Sequence, residues 1–332
     1  MREPYFWRVT DKRSRAAAPM TKLLMTPLSL LYRYAGARRI RTTTPFDAGL
    51  PVICIGNLTL GGAGKTPVTD VVRAHYTAKG LRAASLSRGY RGSLEGAHRV
   101  DPARHTASDV GDEPLMLSAS GESWISVDRP AGARAMKADG VQLIVMDDGH
   151  QNPTLKKDLS VVVIDAGNPF GNGHVFPKGP LRERVSDGLA RADAVVLMGD
   201  GDIPEALAGF AGPVLRARLV SLAPLPPGRY VAFAGIGRPA RFFDALQKQP
   251  GVDLAEGAPY PDHHMFTSDD LDFLMKLATE RNAQLVTTDK DHVRLPAGMK
   301  AKVLRSSVRA QFDDPTALAA LLDTVPRDGA LP

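Results

Sequence analysis

Residues 51–67 read Pro-Val-Ile-Cys-Ile-Gly-Asn-Leu-Thr-Leu-Gly-Gly-Ala-Gly-Lys-Thr-Pro, and they leave the chain few folds to choose from. An apolar, β-branched run at 52–55 leads into a glycine-rich turn, and Gly64-Lys65-Thr66 opens an apolar-periodic segment. Strand, glycine loop and helix start are the context of a phosphate-binding loop. Backbone N–H groups of Gly61, Gly62, Ala63 and Gly64 can turn toward phosphate oxygens, and the helix N-terminus at Lys65-Thr66-Pro67 adds its partial positive charge. Lys65 is placed to reach the β- and γ-phosphates, and the Thr66 hydroxyl to ligate Mg²⁺. The strict pattern asks for Gly at 59, where this chain has Thr59; the pair Gly61-Gly62 still supplies the curvature. The competing reading is a chance Gly-Lys-Thr in a surface turn.

The segments that follow alternate in the same sense. Helices are expected at 68–79, 115–120 and 130–138, strands at 83–87, 123–127, 141–147, 159–164 and 194–198, and an irregular loop at 93–110. Strands without polar alternation, separated by helices, predict a mostly parallel sheet covered on both faces. The expected fold class is α/β, of the P-loop NTPase type, with a smaller C-terminal α/β unit beyond a hinge linker. Ser221 to Gly228 holds three prolines and a glycine, which sets that linker at 221–229. The divisions are then 1–43, 44–220, 221–229 and 230–332.

Composition enters at the N-terminus. Residues 1–43 hold ten Lys and Arg against Glu3 and Asp11, a balance of +8, so the rest of the chain carries −2 of the net +6. A basic character confined to one end does not predict a nucleic-acid surface. The apolar run Leu23 to Tyr32, flanked by Lys22 and Arg33, is too short to cross a bilayer, and Pro27 interrupts it. It reads either as a helix lying in a membrane interface or as one packed on the protein's own core; Tyr5, Phe6 and Trp7 favour the interface. One cysteine, Cys54, suits core packing in a reducing compartment.

Asp147-Asp148 closes an apolar strand, the position from which a carboxylate holds Mg²⁺ beside a P-loop. Asp112 and Glu113, read alone, are acidic residues at a helix start. Asp262-His263-His264 fits either a metal cluster or a histidine oriented by a carboxylate, and spacing does not choose between them.

Taken together, Gly56 to Pro67, Ser87-Arg-Gly-Tyr90, Val110-Gly-Asp-Glu-Pro114, Asp147-Asp-Gly-His-Gln151, Gly171-Asn-Gly173, Gly179-Pro-Leu-Arg-Glu183, Phe233-Ala-Gly-Ile-Gly237, Asp262-His263 and Thr287-Thr-Asp-Lys-Asp291 resemble the tetraacyldisaccharide 4′-kinases, the lipid A kinases of bacteria with an outer membrane. Thr59 is usual in that family. The resemblance implies phosphoryl transfer from ATP, with Mg²⁺, to the 4′-hydroxyl of a lipid-linked glucosamine disaccharide 1-phosphate. It implies an enzyme at the cytoplasmic face of the inner membrane, held by its N-terminal segment, without nucleic acid or an obligate protein partner. It makes Asp112 and His263 a base dyad, gives Asp148 rather than Asp147 to the metal with Glu183 in support, and puts Tyr90, Arg129 and Gln151 near the lipid sugar. His150 stands where many members carry an apolar residue, and is expected near the substrate.

Two other functions fit some of the same residues. A P-loop kinase of a soluble small molecule would make the N-terminus merely structural, and its deletion harmless. A nucleotide-dependent switch or metallochaperone GTPase finds a loose echo in Thr288-Asp289-Lys290-Asp291, and would prefer GTP; it has no use for the Asp112 and His263 motifs.

Overall fold

The computed structural model describes residues 4–9 and 14–325. Arg2, Glu3, Asp11, Lys12 and Arg13 of the basic N-terminal balance lie outside the described residues. A single turn at Tyr5–Trp7 precedes α1 (Pro19–Thr42), β1 (Val52–Gly56), α2 (Lys65–Ala78), β2 (Ala83–Ser87) and β3 (His98–Arg99). Then come α3 (Ala107–Val110), α4 (Asp112–Ser118), β4 (Ser123–Ile125), α5 (Arg129–Ala138), β5 (Leu143–Asp147), β6 (Leu159–Asp165), α6 (Val185–Leu189), β7 (Ala194–Met198) and β8 (Val214–Ser221). The chain continues through β9 (Gly228–Ala234), α7 (Pro239–Gln247), β10 (Val252–Pro259), α8 (Ser268–Glu280), β11 (Gln284–Thr288) and α9 (Asp289–His292). It ends with α10 (Ala297–Lys300), β12 (Val303–Ser306), β13 (Val308–Phe312) and α11 (Pro315–Leu322).

Nine strands form one sheet in the order β13-β8-β7-β6-β1-β5-β2-β4-β3, parallel except at its two ends, where β13 runs against β8 and β3 against β4. Every residue of β1, β5, β6 and β7 is buried, as unbroken apolar runs require of strands covered on both faces. The strand order reverses at β1, between β5 and β6, and ligands of open α/β sheets bind outside the strand ends at such a reversal. A second sheet, β10-β9-β11-β12, is parallel throughout.

The α/β class holds, but the division at 230 does not follow the sheets. β13 pairs with β8, and α11 packs its Leu318 and Leu322 into the core that holds Val68, Val72 and Tyr76 of α2. The Tyr76 hydroxyl donates to the carbonyl of Leu322 at 2.5 Å. The last strand and helix assigned to the smaller unit therefore belong to the large sheet. Two crossings join the sheets, at 222–227 and at Ser307, and the linker expected from 221 begins inside β8. The loop expected at 93–110 contains β3 and α3.

The helix α1 is not packed into the protein's own core. Of its side chains only Ser29 is buried, while Leu23, Leu24 and Leu31 are 64%, 72% and 64% exposed. It is not a core helix. Trp7 departs from the expectation of an interfacial aromatic: it is buried, donates its indole N–H to the Pro177 carbonyl at 3.1 Å and packs edge-on against Phe176. Among the described residues no helix is long and apolar enough to cross a membrane.

Candidate active site

The glycine loop leaves β1 and enters α2 at Gly64, which caps the helix at φ +86°, a left-handed conformation that a side chain resists. Lys65, the first helical residue, is buried and points its ammonium at Asp148, 3.5 Å away. Arg182 clamps the same carboxylate with two N–H bonds of 2.8 and 2.9 Å, and its Nε donates to the carbonyl of Thr59 at 3.2 Å. Arg182 thus braces the P-loop against the end of β5. Burial alone would raise the Asp148 carboxyl, but Lys65 and Arg182 hold it well below the usual carboxylate range.

Asp147 lies beneath, accepting a hydroxyl bond of 3.2 Å from Thr69. Burial, reinforced by the charge of Glu113, pushes its carboxyl well above the ordinary value. Thr66 stands on the first turn of α2, buried like Lys65. Glu183 takes two bonds from Arg191, of 2.8 and 2.7 Å, and one of 3.0 Å from Gln151. Gln151 is held at both ends, its amide N–H also donating to the Asn57 carbonyl at 2.8 Å. Both residues brace the loops around the P-loop. Arg129 is buried at the start of α5 and donates to the Ser126 carbonyl; burial pushes its guanidinium down to about 10, so it stays charged at neutral pH.

The opposite wall comes from the second sheet. Gly111, at φ +88°, turns the chain sharply into α4, and a Cβ there would meet the Tyr90 carbonyl oxygen at 2.6 Å. That turn aims Asp112 across the cleft. Nδ1 of His263, on the loop after β10, lies 2.8 Å from Asp112 Oδ2. Nε2 of the same ring lies 3.2 Å from the Lys290 ammonium, which has no lone pair to offer. Nε2 is therefore the lone-pair nitrogen, and Nδ1 donates to Asp112. Arg294 adds an Nε–H bond of 2.9 Å to Oδ2, while Oδ1 accepts the backbone N–H of Glu113 at 2.9 Å. Burial would raise Asp112, but the His263 bond and the charges of Lys290 and Arg294 hold it far down, a firmly ionised carboxylate.

Tyr90 is half exposed with its ring edge-on to His263, centroids 5.5 Å apart, and Arg91 donates to the His263 carbonyl at 2.7 Å. The neighbouring His264 turns the other way: it bonds Asp270 at 2.9 Å and stacks on Tyr260. The two histidines do not share a ligand, and among the described residues no group of three or more His, Cys, Asp or Glu side chains has the arrangement of a metal cage. His150 departs from its expected place near the substrate. It is a buried strut, its Nε2 donating to the Gly188 carbonyl at 2.9 Å and its Nδ1 accepting from Ser160 at 2.9 Å, and burial pushes its imidazole down to about 3.

The structure thus joins Lys65, Thr66, Asp147, Asp148 and Asp112 on the large-sheet side to His263 on the other. Sequence reasoning missed Arg182, Lys290, Arg294 and the pairing of Asp165 with Arg238 and Arg241. Arg182 and Lys290 stand inside motifs already singled out, Gly179 to Glu183 and Thr287 to Asp291, so the signal was present but unassigned. Arg294 had no local signal, because its role depends on two carboxylates distant in sequence.

The family model described as tetraacyldisaccharide-1-P 4′-kinase matches residues 21–327. The tetraacyldisaccharide 4′-kinase of Hyphomonas neptunium is 57% identical over 97% of each chain, and that of Maricaulis maris 50% identical over 98% of this chain and 96% of the relative. Among solved structures, LpxK from Aquifex aeolicus in complex with ATP superposes with a TM-score of 0.72 over 92% of this chain and 99% of that one, at 22% identity, which extends the likeness to the whole fold. The chain therefore belongs to the tetraacyldisaccharide 4′-kinase family.

Proposed function

We propose that this cleft carries the γ-phosphoryl group of ATP to the 4′-hydroxyl of a tetraacylated glucosamine disaccharide 1-phosphate, with Asp112 and His263 handling the hydroxyl proton. The observation that supports this most is the 2.8 Å bond between them, made across the cleft from the sides of two different sheets. A P-loop that only hydrolysed or sensed nucleotide has no need of it.

Phosphoryl transfer asks the protein for alignment and charge neutralisation more than for covalent chemistry. Lys65 and the amides of Gly61 to Thr66 would hold the phosphate oxygens, and Arg182 keeps that loop in register with β5. The donor set also fits a hard divalent cation: the Thr66 hydroxyl with Asp147 and Asp148, the first of these carboxylates pushed up chiefly by burial and further by the charge of Glu113. Bound with ATP, Mg²⁺ supplies charge neutralisation at the phosphates. Asp148 is already shared by Lys65 and Arg182, so Asp147 is at least as good a ligand. Asp112 is a weak base, since so many donors stabilise its anion. That suits a loose transition state, in which the hydroxyl becomes acidic only late, as its bond to phosphorus forms.

Tyr90, half exposed beside His263, would meet the sugar, and with it Arg129. The exposed leucines of α1, with Arg33, Arg38, Arg39 and Arg41, would rest in the cytoplasmic surface of the inner membrane, where the acyl chains of such an acceptor lie. Because His263 belongs to the smaller sheet, movement about the crossings at 222–227 and Ser307 would open and complete the site. The test is transfer from labelled ATP-Mg²⁺ to the tetraacylated disaccharide 1-phosphate in detergent micelles. Wild type should label the lipid, and Lys65→Ala and Asp112→Ala should lose that activity. Transfer that survives Asp112→Ala removes the proposed base; nucleotide hydrolysis without lipid labelling removes the acceptor.

A further inference from the structure

We infer that Lys290 is a positioning residue that keeps the Asp112–His263 pair ready to accept a proton. The inference rests on the kinase reading above. An ammonium has three N–H donors, and that of Lys290 stands 3.2 Å from His263 Nε2, 3.4 Å from Glu113 Oε1 and 3.5 Å from Asp262 Oδ1. Two acceptors and one ion-pair partner, from α4 and from the loop after β10, fix its place. Despite burial, the charges of Glu113, Asp112 and Asp262 raise its affinity for the proton, so it stays an ammonium.

The consequence falls on His263. The groups facing the ring are Asp112 and Glu113 from α4, Lys290 on α9 with Arg294 just beyond it, Asp262 from its own loop, and the Tyr90 ring with Arg91 from the turn after β2. Three carboxylates face the ring, and an imidazolium there would tie Asp112 into a permanent ion pair. Lys290 opposes this in two ways. Its positive charge disfavours a second one at Nε2, and its N–H holds the Nε2 lone pair so that the hydrogen stays on Nδ1, directed at Asp112. Even with the full screening of water, two unit charges 3.2 Å apart change a proton affinity by about one pH unit. The role is one of protonation state and tautomer, which a buried lysine placed only for stability would not influence.

The experiment compares wild type, Lys290→Met and Lys290→Arg as full-length proteins in detergent, with the lipid acceptor and ATP-Mg²⁺. Lys290→Met should keep its KM for ATP, lose about ten- to a hundredfold in kcat at neutral pH, and show the acid limb of its kcat/KM profile moved up by about one pH unit. Lys290→Arg should restore the limb. The ¹⁵N shifts of His263 should report the Nδ1–H tautomer in wild type and the imidazolium in Lys290→Met at the same pH. An unmoved acid limb in a folded Lys290→Met enzyme, whatever its rate, overturns the inference while leaving the kinase intact. If wild type itself labels no lipid, the failure lies in the kinase reading, and the ¹⁵N tautomer comparison still judges Lys290. A Lys290→Met protein that melts far below wild type shifts the test to Lys290→Gln, for which the same limb displacement is required.

Discussion

Arg294 carries an obligation that its substitution should expose. Its side chain is 1% exposed, and it faces two buried carboxylates: Asp112 through Nε at 2.9 Å, and Asp291, 0% exposed, through Nη1 at 2.9 Å. Nη1 also donates to the Gly235 carbonyl at 3.0 Å. Arg294→Met keeps most of the apolar stem and removes the charge. Asp112 retains His263 and nearby Lys290, but Asp291 keeps only a backbone N–H from Gly235 and the hydroxyl of Thr288. Breaking one side of a buried pair costs about 3–5 kcal/mol. At roughly 2–4 °C per kcal/mol for a domain of ordinary size, the first calorimetric transition should fall by about 10 °C. The deficit should also depend on pH in a definite sense. Burial already raises the Asp291 carboxyl above its ordinary value, and losing Arg294 raises it further. A group with a raised folded-state proton affinity destabilises its protein above that pKa and ceases to do so as pH falls through it. The gap between variant and wild type should therefore be widest at neutral pH and narrow on acidification, and Arg294→Met with Asp291→Asn should recover much of it. A loss below about 1 kcal/mol, a gap independent of pH, or a double variant no better than the single one would refute the reasoning.

Three further outcomes follow from single contacts. His150→Phe should lower stability by about 1–3 kcal/mol, because the Ser160 hydroxyl and Gly188 carbonyl lose their partner inside the core, with KM for both substrates unchanged in steady-state kinetics. Asp148→Asn should flatten the acid limb of a stability-against-pH curve: an ionised Asp148 held below its ordinary range stabilises the fold above that range, and the contribution disappears as pH falls toward its folded value. Thermal unfolding between neutral and acid pH should show wild type losing more than the variant. Leu24→Glu with Leu31→Glu, at side chains 72% and 64% exposed, should leave unfolding untouched and reduce co-flotation with anionic vesicles severalfold.

How much of this was legible depends on whether the deciding interaction was local. The P-loop, β5 and β7 announce themselves because an unbroken apolar run has one structural solution, and β2 and β7 fall within the residues expected of them. Besides the two-residue β3, the strands that sequence reading missed, β8, β10 and β13, are half exposed and carry arginine, aspartate or glycine between their apolar residues. Their pairing is decided by partners far along the chain, and β13 returns over some ninety residues to lie beside β8. The site shows the same division. Asp147, Asp148 and Lys65 were readable from a strand and a loop, whereas Asp112 on its own residues looked like a helix cap. Its role came from the family pattern, and its geometry from His263, 151 residues away. His150 and Trp7 looked functional because of their type, and burial makes them structural.

The cleft also stores conformational strain. Among the described residues five non-glycine positions have positive φ, and three of them, Arg91 at +65°, Asp148 at +54° and His263 at +57°, belong to this one site. Each such residue costs of order 1–3 kcal/mol and persists only where its surroundings over-determine it. Here the restraints can be named. Asp148 is pinned by Arg182 and Lys65; His263 is pinned by Asp112, by Arg91 at its carbonyl and by its own N–H to the Gly235 carbonyl at 3.1 Å. The restraints on Asp148 come from within the large sheet and its loops, so that wall is built independently of closure. Those on His263 come largely from the opposite side, from α4 and from the turn after β2. Separating the sheets would remove Asp112 and Arg91 from His263 together, and its backbone would lose the contacts that keep it left-handed. The restraints on Asp148 thus stay on the large-sheet side, and the Asp112–His263 contact exists only while the two sheets touch. If Asp112 and His263 act as proposed, such an arrangement would bring His263 into register with Asp112 only when both halves close, and would limit transfer of phosphate to water when no lipid is present.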